Sequence, residues 1–458
     1  MFLQSLLPRA EIGANSYLLD LAGTRIVLDA GMHPKAVGLD SLPDFGPLGF
    51  DKLDAIVVSH AHHDHIGALP VLQRQCPSAD VFMTEATAAL SEAMLHNSVN
   101  VMSSQREELG IKEFPLFTHR ELDEVCRQWR THAPGRPFDI GKAGATAEFF
   151  DAGHILGSVG VLIRSHDRTI FYTGDVNFDD QTIARGALFP KEKIDTLIIE
   201  STRGDSPRRP DYTRAGEAQR LARHIRETVR RGGSVLMPVF ALGKSQELLI
   251  MLHELRLAGE IPALPVFIGG LSVKVTKVYD DFAFRGRRAH VGFEILKAMP
   301  ELKFSARPRG KKVQRQPMAW QPGAIYALSS GMMTEHTVSN EFAFQFLQNP
   351  ANSLLFVGYA DPDSPAGRIR SSKPGDRITL DDHRPPVVLR CQVESFDFSG
   401  HSDRESLRRY VNEVRPRQII LVHGEPSAME WFKTAYKTDL PDTSITVAPG
   451  GGLPVVLA

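Results

Sequence analysis

Cysteine is scarce: only Cys76, Cys126 and Cys391 occur, far apart and odd in number. That argues against a disulfide framework and for a reducing compartment, here the cytoplasm. No apolar run approaches the ~18–20 residues that span a bilayer as a helix, so no membrane partner is expected. The opening stretch MFLQSLLPRAEIG lacks a charged n-region and an apolar core of the usual length, so no secretory leader is expected. Neither sign of charge prevails, with 53 Lys and Arg against 54 Asp and Glu and a net charge of −1. A polyanion binder with this balance must gather its positive charge locally. Repeats and low-complexity tracts are also lacking, and no appended RNA-binding domain is expected. Gly243-Lys244-Ser245 is not a nucleotide P-loop, because Pro238 stands where that loop needs its first glycine.

What remains is an ordinary globular composition, 42% apolar and 23% charged over 458 residues. Such a chain buries one large core or two moderate ones. Seventeen histidines is a high count, and their placement carries the chemistry. Ser59 to Gly67 reads SHAHHDHIG, directly after the buried-strand pattern Leu53 to Val58. Alternate residues at a strand end face one side, so His60 and His62 aim together and His63 aims away. A turn into a helix then brings Asp64 and His65 to the same cavity. Two imidazoles serve one metal, and a carboxylate with an imidazole serves a second. Imidazole with carboxylate suits zinc and, less specifically, manganese or iron.

Further short apolar runs end in polar groups. Residues 16–30 read as a hairpin closing on Asp29-Ala30-Gly31. Thr87 to Val99 is helical, and the polar stretch 103–140 suggests helices and a lid. A strand over Glu148 to Phe150 leads to Asp151-Ala152-Gly153-His154. A second hairpin around His166-Asp167 closes on Thr173-Gly174-Asp175. Ile194 to Ile199 delivers Glu200-Ser201-Thr202-Arg203. Composition then shifts to arginine and proline at about Asp205, which marks a domain boundary. Lys244, with Ser245 at a helix N-terminus, and the small-residue turn Ser330-Gly331 are candidate phosphate contacts. Arg285 to Arg315 holds ten Lys or Arg against Glu294 and Glu301 and is a candidate for backbone binding. Near the end, Ser399-Gly400-His401-Ser402-Asp403 and Val422-His423-Gly424-Glu425 each follow a strand.

HxHxDH, filled by His60, His62, Asp64 and His65, resembles the signature of the metallo-β-lactamase fold. Its continuation Ile66-Gly67-Ala68-Leu69-Pro70, with SGHSD and VHGE, resembles the RNA-directed branch of the β-CASP nucleases. The resemblance covers nearly the whole chain. It departs at Arg203, where an aromatic is usual, and at Gly269-Gly270-Leu271, where a DSP-like turn is usual.

The resemblance implies an α/β fold: an αββα metallo-β-lactamase sandwich, residues 1–204 and about 376–458, with an inserted α/β β-CASP domain at about 205–375. The active site is expected in the cleft between the two. It implies one zinc at His60, His62 and His154, a second at Asp64, His65 and His423, and Asp175 bridging them with a water or hydroxide. Manganese is the open alternative. Asp29 would orient a ligand from beneath, and Asp64 would also accept the proton of the attacking water. His401 would protonate the leaving oxygen, with Glu200 holding its ring. The implied reaction is hydrolysis of single-stranded RNA, in endonucleolytic or 5′-exonucleolytic mode. A DNA-directed nuclease and a small-molecule metallohydrolase of lactonase or thioesterase type are the alternatives. The filled ligand and acid–base positions argue against a non-catalytic scaffold. A homodimer is left open.

Overall fold

A computed structural model describes residues 1–49, 52–141, 144–304 and 319–458. The chain divides into two compact units, 1–208 with 401–458, and 209–400. Both are α/β. Among the described residues, no helix is long and apolar enough to cross a membrane.

The first unit holds two seven-stranded sheets. One is built outward from the expected hairpin, Tyr17–Asp20 with Arg25–Leu28, in which Tyr17 faces Leu28. Ala55–Val57 and Asp80–Met83 add to it in parallel. Pro454–Val456 closes its other edge against Phe2–Ser5. The second sheet runs Ser444–Val447, Gln418–Val422, Thr196–Glu200, Arg168–Tyr172, Val159–Ser165, Ala145–Asp151, Phe138–Ile140. Its central strands read as unbroken apolar runs because both faces are covered. Ile198, Ile420 and Tyr172 point inward, against Leu19, Leu28 and Val57 of the first sheet. Leu197, Ile199, Ile419 and Leu421 point outward, where they meet Leu407, Val411, Phe432 and Tyr436. Those four lie on the helices Arg404–Val414 and Pro426–Asp439. Burying one such Leu or Ile side chain stabilises by about 1.5–3 kcal/mol.

Two local expectations differ from the structure. The helix begun at Thr87 runs Glu85–Leu109, capped by the Thr84 side chain on the Thr87 N–H and ended by left-handed Gly110. Residues 103–140 finish that helix, form His119–Cys126, and supply an edge strand to each sheet, Trp129–Thr131 and Phe138–Ile140. The polarity read as a lid belongs to these helices and sheet edges.

The second unit carries a six-stranded sheet in the order Leu302–Phe304, Val266–Ile268, Ile325–Leu328, Val235–Pro238, Ser353–Phe356, Gln392–Ser395, all parallel. Leu236, Tyr326 and Leu354 pack against Phe342, Phe346 and Ile369 of its helices. The return to the first unit comes at His401, not at about 376. The reason is pairing: Gln392–Ser395 lies in parallel register on Ser353–Phe356, which keeps it in the second unit. Within the basic stretch Arg285 to Arg315, residues 305–315 lie outside the described residues.

Candidate metal centre and acid pair

Strand direction sets the site. Strands ending at Leu28, Val57, Asp151, Tyr172, Glu200 and Val422 lead straight into the candidate residues. The strands bearing Tyr172, Glu200 and Val422 run parallel, so their polar ends share one edge. Glycines let the backbones approach there. A Cβ on Gly31 would lie 1.7 Å from the Asp64 carbonyl oxygen, and one on Gly153 2.4 Å from that of Asn177. Gly31→Ala should therefore cost more than about 2 kcal/mol of stability, read as a fall in denaturant midpoint, since rigid backbone blocks the added methyl.

Three ring nitrogens converge first. His62 Nδ1 stands 3.1 Å from His60 Nε2 and 3.1 Å from His154 Nε2. A tetrahedral shell with Zn–N of about 2.0–2.1 Å has nitrogen–nitrogen edges of about 3.3–3.4 Å, close to these spacings. Asp64, His65 and His423 form a second group, with His423 Nε2 3.3 Å from Asp64 Oδ2. Asp175 stands between the groups. Its Oδ2 is 3.5 Å from His60 Nε2 and 3.6 Å from His154 Nε2, and its Oδ1 is 3.5 Å from His65 Nε2 and 3.3 Å from His423 Nδ1. Asp175 Oδ1 is buried yet accepts no hydrogen bond. Leaving such an oxygen unpaired costs about 1–3 kcal/mol or more for a charged group. Cations between the carboxylate and the imidazoles would satisfy it, so the donor set fits one or two metal ions.

The charge balance agrees. Burial, then the surrounding imidazoles, hold His60 well below its usual pKa, so it remains a neutral donor. Burial opposes the charge on His65, but Asp175, Asp64 and Asp29 override it and raise the group to about 10. A pocket that so favours a proton favours a cation in its place.

Asp29 lies beneath. Its Oδ2 accepts from His65 Nδ1–H at 2.8 Å, the Ser59 hydroxyl at 2.8 Å and the Tyr172 hydroxyl at 2.7 Å, and its Oδ1 from the Ser59 N–H at 2.7 Å. Ser59 Oγ in turn lies 3.0 Å from His60 Nδ1. These bonds leave Nε2 of both histidines facing the cavity. A carboxylate behind a ligating imidazole fixes its tautomer, and its loss typically weakens metal binding about 10–100-fold. Asp29→Asn should do this, as measured by competition with a chromogenic chelator; unchanged affinity would remove Asp29 from the role.

The candidate acid pair adjoins this cluster. His401 Nδ1 lies 3.1 Å from both oxygens of Glu200, and Glu200 Oε1 also accepts from the Val176 N–H at 2.7 Å. Burial works against both charges, yet each ion overrides it for the other. Glu200 is drawn down to about 2 and His401, helped also by Asp175, up to about 9. His401 Nε2 is directed at the cluster, 3.9 Å from Asp175 Oδ2. Arg208 ties the two loops together, pairing with Asp179 and, at 3.0 Å, with Asp403.

Four contributors escaped the sequence. Asn15 donates through its backbone N–H to the Asp64 carbonyl at 2.9 Å and through Nδ2 at 3.2 Å. Ser59 and Tyr172 carry the Asp29 network, and Thr202 Oγ1 lies 3.0 Å from His423 Nδ1. Only Thr202 had a signal, since it alternates with Glu200 at a strand end.

The candidate phosphate contacts belong to the second unit. Ser245 is fully buried, and both its hydroxyl and its N–H donate to the Phe240 carbonyl, so the side chain is structural. Lys244 Nζ bonds the Phe398 carbonyl. Ser330 is half-buried, 3.2 Å from the Thr334 hydroxyl, and Gly331 lies against Phe240. These residues gather where adjacent parallel strands end, Val235–Pro238 and Ile325–Leu328. Arg203, where the sequence departs from the resembled pattern, is buried and bonds the Ser206 carbonyl.

Three family models match successive parts of the chain: a β-lactamase superfamily domain over 24–230, a Beta-Casp domain over 245–369, and a Zn-dependent metallo-hydrolase RNA specificity domain over 386–446. Similar curated proteins include endoribonuclease YSH1 of Saccharomyces cerevisiae, 30% identical over 93% of this chain and 54% of its own length. Another is cleavage and polyadenylation specificity factor 73 of Drosophila melanogaster, 27% identical over 94% of this chain and 60% of its own. The chain thus spans little more than half the length of these relatives. A crystal structure of a protein of unknown function from Enterococcus faecalis V583 shares the fold, with a TM-score of 0.59 at 14% identity, covering 100% of this chain and 99% of that one.

Proposed function

Since this chain belongs to the β-CASP branch of the metallo-β-lactamase superfamily, we propose that it is a metal-dependent ribonuclease hydrolysing phosphodiester bonds of single-stranded RNA. The observation that carries the proposal is Asp175, whose two oxygens face two separate histidine groups while His401 points at the same carboxylate. His60, His62 and His154 would hold one zinc, and Asp64, His65 and His423 a second, with Asp175 shared. Two such ions lower the pKa of a water toward about 7 and neutralise phosphoryl oxygens.

The chain's own groups do the rest. Asp64 has its pKa held well below the carboxylate range by His65 and His423 despite burial, so it stays ionised. It faces His423 on one side and, as an ionised carboxylate, can accept a hydrogen bond from the attacking water and orient it. His401 carries its proton on Nε2 toward the cluster, where the leaving oxygen of a bound phosphodiester would sit. It donates that proton as the P–O bond breaks, because an alkoxide is otherwise a poor leaving group. Glu200 keeps the imidazole oriented and charged. Lys244, Ser330 and Gly331 are proposed to meet substrate phosphates in the second unit.

The relatives named endoribonuclease favour internal cleavage of RNA over DNA or small esters as substrate. The test uses zinc-replete protein with end-labelled single-stranded RNA carrying 5′-phosphate, 5′-triphosphate or 5′-hydroxyl, beside matched DNA and a lactone. Internal RNA fragments from all three ends are expected. Turnover of the lactone alone, or of DNA alone, would overturn the proposal.

A further inference from the structure

The helix Arg214–Arg230 carries a groove that the metal centre does not use. The groove measures about 490 Å³, and Arg209, Arg220, Arg223, Arg226, Asp211 and Glu217 line it. All belong to the second unit. Its floor is built. Glu217 is 3% exposed, and its Oε2 accepts from Arg209 Nη2 at 3.0 Å and Arg220 Nε at 3.1 Å. Its Oε1 accepts from Arg220 Nη2 at 2.8 Å and the Asp397 N–H at 2.8 Å. Each of its oxygens is thus committed to the groove's own arginines and backbone, which holds two guanidinium planes in place. Arg226 bonds Glu260 at 3.0 Å. Arg223 is exposed and has no ion-pair partner among the described residues.

Residues three apart lie on one helix face, so Arg220, Arg223 and Arg226 form a row rising about 4.5 Å per step. The remaining lining is Thr213, Gly216 and Gln219, with no apolar side chain. That disfavours a small-molecule pocket, which has mostly apolar walls, and a peptide interface, which needs a buried apolar anchor. Guanidinium forks pair with phosphate oxygens, and a row of them suits consecutive phosphates.

We propose that this groove binds the sugar–phosphate backbone of single-stranded RNA, a contact separate from the one at the metal centre. The inference rests on the ribonuclease reading for its ligand. It also explains how a chain of net charge −1 attracts a polyanion, by concentrating arginine on one surface.

The test measures binding of fluorescein-labelled oligouridylate, about 5 or about 20 nucleotides long, at several salt concentrations. It uses the full zinc-loaded chain in a His401→Ala background to prevent cleavage. Arg223→Ala with Arg226→Ala should weaken 20-mer binding roughly tenfold and leave the 5-mer unchanged. The slope of log affinity against log salt should fall by about 1.4, for two contacts at about 0.7 each on a single strand. Arg223→Lys with Arg226→Lys should restore most of the slope, and circular dichroism confirms folding. Equal slopes in the parent and the alanine variant would overturn the groove and leave the ribonuclease reading standing. A parent that binds no RNA would overturn both. Tighter binding of fluorescein-labelled oligoglutamate than of the 20-mer, lost in the same alanine variant, would assign the groove to an acidic peptide instead.

Discussion

His401→Ala should retain its full metal content and lose about 10²–10⁴-fold in RNA cleavage, the range for removing a positioned general acid. The geometry separates the two readouts. His401 Nε2 stands 3.9 Å from Asp175 but has its Nδ1 bonded to Glu200, so the ring is held from outside the cluster. Removing it takes no nitrogen from either histidine group. The pH profile gives the second signature. A general acid must be protonated, so activity falls as pH rises through its pKa, which Glu200 and Asp175 raise to about 9 against burial. Bound cations oppose that proton, so the alkaline limb lies at or below that value. His401→Ala should lack the limb, and Glu200→Gln should shift it to lower pH. Loss of zinc from His401→Ala, or an unchanged rate, would remove His401 from the reaction.

Asp175→Asn should be more damaging still, with both metals bound weakly and cleavage reduced to background in buffer without excess zinc. The carboxylate is 3% exposed, and its two oxygens face four imidazole nitrogens within 3.6 Å. Asparagine keeps the shape but removes the charge and turns one oxygen into an N–H donor aimed at ring nitrogens. His423→Ala provides the graded comparison. It empties one position of one group, so it should lose part of the zinc and leave the His60, His62 and His154 group loaded. Elemental analysis after gel filtration reads both. Full zinc in Asp175→Asn would contradict the shared role.

Much of this centre was legible because its donors crowd into short stretches after buried strands. SHAHHDHIG places four candidate donors within six positions; strand alternation predicts that His60 and His62 converge, and the turn into a helix brings Asp64 and His65 round to them. His154, Asp175 and His423 were legible through motif order, since a single histidine or aspartate after a strand is uninformative. What stayed hidden depends on contacts between distant segments. Tyr172 bonds Asp29 across 143 positions, and Asn15 bonds Asp64 across 49. Nothing in either local sequence marks them. Ser245 misled because a serine beside a lysine at a helix start resembles a phosphate contact. Packing of its helix on Ser272 buries the hydroxyl instead. The return at His401 was missed because Gln392–Ser395 gives the same strand pattern whichever sheet it joins; pairing with Ser353–Phe356 decides it.

The pairing of two histidine groups about one carboxylate is tested most directly by anomalous diffraction at the zinc edge from zinc-soaked crystals. Two peaks about 3.5–4 Å apart are predicted. One should lie against His60, His62 and His154, the other against Asp64, His65 and His423, with Asp175 touching both. A single peak away from Asp175, or none at full soak, would contradict it.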